Sequence, residues 1–408
     1  MKKIIALMLT LLMATSIAAC NNQNSENSKA ETVSTTVSSE SSADNSSDAD
    51  NADGKLDWVD FKTYNLEEDV PVKNIILMIG DGMGKNIIKA SEIVKGDKLV
   101  MSGMDYTTTV TTYSQSVADG YAEYTDSAAS ATALSTGVKT KNGYIGIDSD
   151  GNDLETICEY AEKLDMKTGL VARQVMSHAT PAGMIAHNNS RSNYPQILRE
   201  MINSDVDVLF GGGAQYEKTN KKVQKAIEDS ERKLITTEEE MNSLTKEDGE
   251  VLGLFAYDNM GSASMKPLLS DMTKKAIELL DNDDGFFLMV EGSNIDTYEH
   301  NSDMEQTLEQ MKGFDQAVDY VLSWAEKNPG TLVLVTADHE TGGVKLPENA
   351  TAEDINNDCF TSDGNHTNSN VALMASGAQA SEICKDDLID NTDIAKYMRE
   401  VLAESHKG

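Results

Sequence analysis

The chain has 408 residues, with 34 lysines and arginines against 68 aspartates and glutamates, which gives a formal net charge of −34. Because a surface this acidic repels phosphate backbones, the composition argues against nucleic-acid binding through a basic face. A hydrophobic fraction of 39% is enough for a large core and far below that of a multi-span membrane protein. An anionic substrate would therefore need a local positive charge, from metal ions or from a placed arginine.

The N-terminus has the pattern of a targeting segment. A charged start, Met1–Lys3, precedes an apolar run that ends at residue 19, which predicts a signal peptide over residues 1–19. The run ends in the stretch Ile17-Ala18-Ala19-Cys20, which resembles a bacterial lipobox. The resemblance implies that Cys20 is lipidated and becomes the first mature residue. The alternative is an ordinary secretory signal with a cleavage site of the Ala-x-Ala type.

Residues 20–55 form the second predicted segment and consist mainly of Ser, Asn, Asp, Thr and Ala. Such a composition cannot bury a core, so we predict a disordered tether between the lipidated cysteine and the folded part. An anchor followed by a tether places the folded part outside the cell, held to the bacterial cell membrane. We expect residues 56–408 to form one catalytic domain.

Three cysteines, Cys158, Cys359 and Cys384, lie in the folded part, and their spacing is not that of a metal cluster. Three is an odd number, so at least one thiol is unpaired. Two alternatives stay open for Cys359 and Cys384: they form a disulfide, or they are buried free thiols.

The folded part alternates between strand-like and helix-like runs. Short apolar runs predict buried strands at Asn74–Ile79, Gly169–Ala172, Val206–Phe210, Val251–Phe255, Phe286–Val290, Thr331–Thr336 and Val371–Ala375. Helices are predicted at Ser127–Ser135, Leu154–Leu164, Asn193–Asn203, Lys266–Leu280, Ser302–Lys327 and Thr392–Glu404. This alternation predicts an α/β fold: a three-layer α/β/α sandwich around a large, mostly parallel sheet. The polar segment 214–249 reads as a surface excursion of helices within that domain.

Carboxylates and imidazoles follow three of the predicted strands. The first strand runs into Asp81 between glycines, another runs into a segment from Glu291 to His300, and a third ends just before Asp338 and His339. In open α/β sheets, ligands bind beyond the carboxyl ends of the strands. Each residue alone could be a turn or a helix cap, but together they exceed what one tetrahedral ion needs. The pattern therefore indicates a multi-metal site of the kind that promotes phosphoryl transfer.

Ser127 is the candidate nucleophile, because it opens a predicted helix of small residues. Backbone N–H groups at a helix N-terminus attract anions. The alternative is that Ser127 only caps the helix, although Asp126 could do so equally well. No histidine lies nearby in sequence, so activation of the hydroxyl would fall to a metal ion.

Taken together, these residues resemble the metal-dependent alkaline phosphatase family. The matching motifs occur in the family's order from about Asn74 to Ala375: Gly80-Asp81-Gly82-Met83-Gly84, Thr125-Asp126-Ser127 with the small residues after it, His178-Ala179-Thr180-Pro181-Ala182 through Arg191, Glu291 through His300, Thr336-Ala337-Asp338-His339, and His366-Thr367. The resemblance implies an alkaline-phosphatase-like sandwich that hydrolyses small phosphate monoesters through a phosphoserine intermediate.

The resemblance also implies a role for each ligand. One zinc would be held by Asp296, His300 and His366. A second zinc would be held by Asp81, Asp338 and His339, with Ser127 coordinating it as the nucleophile. Magnesium would be held by Asp81, Thr180 and Glu291. Arg191 would grip two phosphate oxygens.

One departure from the family pattern concerns His178, which stands where the enteric-type enzymes carry aspartate beside the magnesium site. Its imidazole nitrogen favours zinc or cobalt as alternatives to magnesium at this third site. Two other functions stay open: a hydrolase of the same superfamily that acts on phosphodiesters, sulfates or phosphonates, and a non-catalytic solute-binding lipoprotein. The resemblance also leaves a homodimer open.

Overall fold

The computed structural model of the protein describes residues 55–406. The predicted signal peptide, Cys20 and nearly all of the predicted tether lie outside the described residues. Within residues 55–406, none of the helices combines the length and the apolar character that a membrane crossing requires.

A ten-stranded sheet forms the centre of the fold. Its strands are β1 (Asn74–Gly80), β2 (Tyr106–Thr111), β3 (Lys167–Val175), β4 (Val208–Gly212), β5 (Lys233–Ile235), β6 (Val251–Leu254), β7 (Phe286–Gly292), β8 (Thr331–Thr336), β11 (Val371–Gly377) and β12 (Leu388–Asp390). Their order across the sheet is β12-β2-β11-β8-β1-β7-β3-β4-β6-β5. A separate antiparallel pair consists of β9 (Glu340–Thr341) and β10 (His366–Thr367).

Helices flank this sheet. They are α1 (Lys85–Lys95), α2 (Gln115–Ala118), α3 (Ser127–Thr136), α4 (Ile157–Glu162), α5 (Ala179–Ala182), α6 (Tyr194–Ile202), α7 (Ala214–Thr219), α8 (Lys221–Asp229), α9 (Glu238–Ser243), α10 (Leu269–Leu280), α11 (Asn294–His300), α12 (Met304–Ala325), α13 (Ala380–Ile383) and α14 (Asn391–Ser405). Helices α10 and α12 pack on each other; α10 also packs on β3 and β7, and α12 on β7 and β8. Helix α3 packs against α5 and α14. The predicted α/β sandwich is confirmed.

The three central strands, β8, β1 and β7, are buried and end at the same edge of the sheet. Every residue of β1, β7 and β8 is buried, as expected for strands covered by helices on both faces. Strand β1 runs parallel to both neighbours, with Ile79 paired to Glu291 and to Thr336. The carboxyl ends of all three strands therefore meet at one edge of the sheet.

The structure departs from the predicted elements mainly at the sides of the sheet. Strand β2 was not predicted, because its threonine-rich run is only partly buried and lacks a continuous apolar signal. Strand β11 is antiparallel to β2 and to β8, so the sheet is mixed at this side. The segment 214–249 holds three α-helices and a short 3₁₀ helix, Lys246–Asp248, but also β5, which pairs in parallel with β6 at the other edge. Strand β5 has only three residues and lies between charged helices, so its sequence shows no hydrophobic pattern that would predict a strand.

All three cysteines of the described residues, Cys158, Cys359 and Cys384, are free thiols. Cys158 and Cys359 are buried, and Cys384 is partly buried. The structure therefore contains no disulfide within residues 55–406, and the pairing of Cys359 with Cys384 is not observed.

Candidate active site

The predicted ligands converge at the carboxyl edge of β8, β1 and β7. Asp81 follows β1, Glu291 is the penultimate residue of β7, and Asp338 and His339 follow β8. Helix α11 then carries Asp296 and His300 one turn apart, in its first and last turns. His366 reaches the same edge from β10, which pairs with β9 directly after His339.

The first cluster consists of Asp81, Asp338 and His339, whose ligand atoms lie within 4.8 Å of one another. His339 Nε2 is 3.5 Å from Asp81 Oδ1 and 3.2 Å from Asp338 Oδ2. The same nitrogen lies 3.2 Å from the hydroxyl oxygen of Ser127. The nucleophile candidate therefore borders this cluster directly.

The second cluster consists of Asp296, His300 and His366. The Nε2 atoms of the two histidines are 3.2 Å apart, and they lie 3.3 Å and 3.5 Å from the oxygens of Asp296. The rings of His366 and His339 are stacked with their centroids 3.7 Å apart, so the first and second clusters adjoin. The outer nitrogens of His300 and His366 face the carbonyl oxygens of Gly364 and Thr125, which orients both rings.

The third cluster consists of Asp81, Glu291 and His178, again with ligand atoms within 4.8 Å of one another. Thr180 sits two residues after His178 on α5, and its hydroxyl is buried without a hydrogen-bond partner. Asp81 belongs to both the first and the third clusters, so its two oxygens can serve two cations.

The buried polar atoms of these clusters fit cations. Neither oxygen of Asp81 or of Glu291 has a hydrogen-bond partner among the described residues, and Oδ2 of Asp338 has none either. Unpartnered buried carboxylates are costly unless they are protonated or bound to a cation. Burial raises the pKa of Asp338 to about 6 and that of Glu291 to about 8, and it raises the pKa of Asp81 well above its ordinary value. The donor set, imidazole with carboxylate in two clusters and mainly oxygen in the third, suits zinc and magnesium respectively.

The start of α3 leaves the Ser127 hydroxyl available for chemistry. Asp126 is the N-cap, and its side chain accepts a hydrogen bond of 3.0 Å from Ala129 N, so Ser127 is not the capping residue. The small residues of α3 allow close packing, since a Cβ on Gly183 would lie 2.7 Å from Ala131 Cβ. Helix α5, which carries Thr180, is thereby held against the nucleophile helix.

Arg191 points into the site and is fixed there by two contacts. Its Nη1 lies 3.1 Å from Asp126 Oδ2, and its Nη2 lies 3.2 Å from His178 Nε2. Burial alone would lower the pKa of Arg191, but the charge and hydrogen bond of Asp126 raise it above its ordinary value. The guanidinium is therefore a permanent positive charge held by Asp126, the residue before Ser127.

The contact between His178 and Arg191 fixes the tautomer of the histidine. Burial, and then the positive charge of Arg191, lower the pKa of His178 to about 3, so the ring is neutral at pH 7. A neutral imidazole has one free lone pair, and a guanidinium can only donate. While Nε2 accepts from Arg191, Nδ1 carries the proton. His178 cannot coordinate a cation through either nitrogen without giving up its bond to Arg191.

Three contributors to the site were not predicted from the sequence. Asp126 was considered only as a helix cap, yet it also holds Arg191. Thr341 donates a hydrogen bond of 2.6 Å to Asp296 Oδ1, and its hydroxyl lies 3.2 Å from His339 Nδ1. Glu299 is fully buried on α11 without a hydrogen-bond partner, and burial raises its pKa well above the ordinary value. The proximity of Asp126 to Ser127 was a usable signal, whereas Thr341 and Glu299 belong to no pattern that the sequence displays.

Comparison with known sequences identifies relatives of this chain. The family model described as alkaline phosphatase matches residues 72–358. Alkaline phosphatase 4 of Bacillus subtilis is 38% identical over 302 residues, a match that covers 69% of this chain and 64% of that protein. The chain thus spans slightly less than two thirds of that relative. The alkaline phosphatase of Escherichia coli is 32% identical over 410 residues, which cover 82% of this chain and 87% of that protein.

Comparison with solved structures agrees with the sequence match. The alkaline phosphatase of the Antarctic bacterium TAB5 is 30% identical and superposes with a TM-score of 0.73, covering 82% of this chain and 99% of that one. Variants of the TAB5 enzyme, in which one histidine is replaced by aspartate or glutamate, were solved with magnesium bound in the site called M3. The family match over residues 72–358, the relatives and the shared architecture establish that this chain belongs to the alkaline phosphatase family.

Proposed function

We propose that this protein hydrolyses phosphate monoesters through a phosphoserine on Ser127, at a centre that binds two zinc ions and one further cation. The observation that carries the proposal is the position of the Ser127 hydroxyl, 3.2 Å from His339 and one residue after Asp126, which holds Arg191, beside the clusters of candidate metal ligands. The similarity to the alkaline phosphatase of Escherichia coli supports the same class of reaction.

The start of α3 and Arg191 would bind the substrate phosphate, and Ser127 would attack it. The N-terminal N–H groups of α3 and the guanidinium of Arg191 attract the phosphate dianion, which a surface of net charge −34 would otherwise repel. Arg191 is held by Asp126, so it can grip two non-bridging oxygens while Ser127 faces phosphorus. Attack by the hydroxyl oxygen forms the phosphoserine and releases the alcohol, and water then cleaves the phosphoserine to release inorganic phosphate.

Each cluster would hold one cation. Asp296, His300 and His366 would hold one zinc, and Asp81, Asp338 and His339 the other. Asp81, Thr180 and Glu291 would hold magnesium, with His178 at its side. When bound, these ions supply positive charge that lowers the pKa of the attacking group and offsets the charge that develops on the leaving oxygen.

One assay separates the proposed function from its two alternatives, a related hydrolase with another substrate class and a non-catalytic binding protein. A diesterase, sulfatase or phosphonate hydrolase of the same superfamily would not need Arg191 beside the nucleophile, and a solute-binding lipoprotein would turn over nothing. Purified protein should be assayed on an aryl phosphate monoester, an aryl phosphodiester and an aryl sulfate, with and without a chelator. We expect turnover of the monoester to dominate and to disappear on chelation. Dominant diester or sulfate turnover would overturn the proposal.

Replacement of Arg191 by alanine should separate monoesters from diesters. The guanidinium pairs with two free oxygens, which a diester cannot offer in the same way, so we expect kcat/KM for the monoester to fall about 100-fold and that for a diester by less than about tenfold. Arg199→Ala is a matched control, because Arg199 lies on α6 and lines a different groove. Equal losses on both substrates would show that Arg191 supports the structure rather than discrimination.

Replacement of His178 by aspartate should strengthen magnesium binding at the third site. The carboxylate provides an oxygen ligand and a negative charge where a neutral imidazole now accepts from Arg191. Stripped protein reloaded with zinc should be titrated with magnesium, and the variant should activate at roughly tenfold lower magnesium. His178→Asn is the control, because asparagine has the shape of aspartate but carries no charge. Superimposable activation curves for all three proteins would show that His178 does not tune this site.

We also propose that the protein is anchored outside the cell by lipid on Cys20, with residues 20–55 as the tether. The lipobox pattern at residues 17–20 supports this placement. Cys20→Ala should leave turnover unchanged and abolish both incorporation of labelled fatty acid and retention with membranes. Absence of label from the wild-type protein would contradict the anchor.

A further inference from the structure

Three aromatic rings form a row that begins at the candidate active site. The ring of Tyr194 is stacked on the imidazole of His178, with centroids 6.5 Å apart and planes 12° apart. The ring of Tyr216 is in turn stacked on that of Tyr194, with centroids 5.8 Å apart and planes inclined by 18°. Both spacings and angles lie in the range of offset-stacked aromatic pairs. The row therefore joins α7, in the segment 214–249, to the residue that contacts Arg191.

The outer end of the row is fixed to the sheet. Helix α7 begins after Gly213, whose φ of 104° suits glycine, and Gly213 N lies 3.1 Å and 3.0 Å from the carbonyl oxygens of Ala256 and Asp258. The next two amides, those of Ala214 and Gln215, donate to Ala256 O at 3.0 Å and to Tyr257 O at 2.8 Å. The start of α7, which carries Tyr216, is thus hydrogen-bonded to the loop after β6.

Hydrogen bonding alone does not fix the inner end of the row. The ring of His178 makes one hydrogen-bond contact, between Nε2 and Arg191 Nη2, and its buried Nδ1 has no partner among the described residues. Because a single hydrogen bond does not fix the plane of an imidazole, the stacked ring of Tyr194 contributes directly to that plane. Tyr194 is also only three residues after Arg191 along the chain.

We propose that Tyr216 is a positioning residue for phosphate binding: through Tyr194 it holds the imidazole of His178 in the plane that lets Nε2 accept from Arg191. The inference rests on the proposed function only in that Arg191 grips phosphate. It gives the segment 214–249 a part in the site, although none of its residues lies in the three cation-binding clusters. Loss of the Tyr216 ring should leave Arg191 bound to Asp126 but less firmly oriented.

The test measures binding of inorganic phosphate to the metal-loaded protein by calorimetry. Tyr216→Leu should raise the Kd for phosphate roughly two- to tenfold, the range expected for loss of one aromatic pair. Tyr216→Phe keeps the ring and should bind phosphate like the wild type. Tyr194→Leu, which lies outside the segment 214–249, should reproduce the loss even where Tyr216→Leu does not fold.

A double-mutant cycle separates positioning from general stability. In a His178→Ala background the link is already broken, so Tyr216→Leu should cause no further loss of phosphate affinity. Unchanged affinity in Tyr216→Leu, an equal loss in Tyr216→Phe, or a loss of full size in the His178→Ala background would each overturn the inference. Because phosphate binding is measured without turnover, a wild-type protein that hydrolyses no monoester is a distinct result, which counts against the proposed function alone.

Discussion

Replacement of Ser127 by alanine is expected to reduce monoester turnover by at least about a thousandfold, because the covalent route is removed while the cations and Arg191 remain. The structure makes this substitution a clean test. The cap of α3 is Asp126, so the Ser127 hydroxyl does not hold the helix, and the residue is buried beside His339. Metal content and unfolding temperature should therefore match those of the wild type.

Ser135→Ala provides the matched control, since Ser135 lies on the same helix and accepts a hydrogen bond of 3.1 Å from Ile157 N. That variant should lose some stability and keep its turnover. Near-normal turnover in Ser127→Ala would contradict the assignment of the nucleophile, and loss of bound metal in that variant would show that the substitution acts through the clusters.

Removal of the metal ions should destabilise the protein more strongly as pH rises. Burial raises the pKa of Asp338 to about 6 and that of Glu291 to about 8 in the metal-free fold, whereas both groups titrate near 4 when unfolded. The stability that they contribute is complete below about pH 4 and is lost as pH rises through about 6 and about 8. Bound cations favour the ionised carboxylates, so the loaded protein should not show this loss.

The measurement compares the unfolding temperatures of loaded and stripped protein from pH 5 to pH 9. Their difference should be small at pH 5 and exceed about 10 °C at pH 9, since tightly bound ligands stabilise by several kcal/mol. Glu291→Gln cannot ionise and should lose the upper part of the pH dependence. A difference that stays constant over this range would show that Asp338 and Glu291 do not bind the cations.

The sequence located the ligands because their positions follow a simple rule of topology. Strands β1, β7 and β8 are continuous apolar runs, and carboxylates at the ends of buried parallel strands must meet at one edge of the sheet. The segment from Glu291 to His300 was predicted to follow such a strand, and α11 within it brings Asp296 and His300 to 3.3 Å. The ligands could therefore be predicted, because their positions depend only on the strand or helix that carries them.

The remaining contributors depend on contacts between distant segments. The pair of Arg191 with Asp126 joins residues 65 positions apart, and the bond of Thr341 to Asp296 joins residues 45 positions apart. Strand β2 was missed for a related reason, because a threonine-rich strand is recognisable only once its partners β11 and β12 are in place. Such features follow from tertiary packing, which sequence pattern does not encode.

Covalent trapping of phosphate tests the central claim most directly. Metal-loaded wild-type protein should be mixed with an aryl phosphate monoester, quenched in acid and mapped by mass spectrometry. We expect one phosphorylated peptide, modified at Ser127, which is absent after chelation and absent from Ser127→Ala. Rapid monoester hydrolysis without any phosphopeptide would contradict the account and point to direct attack by water.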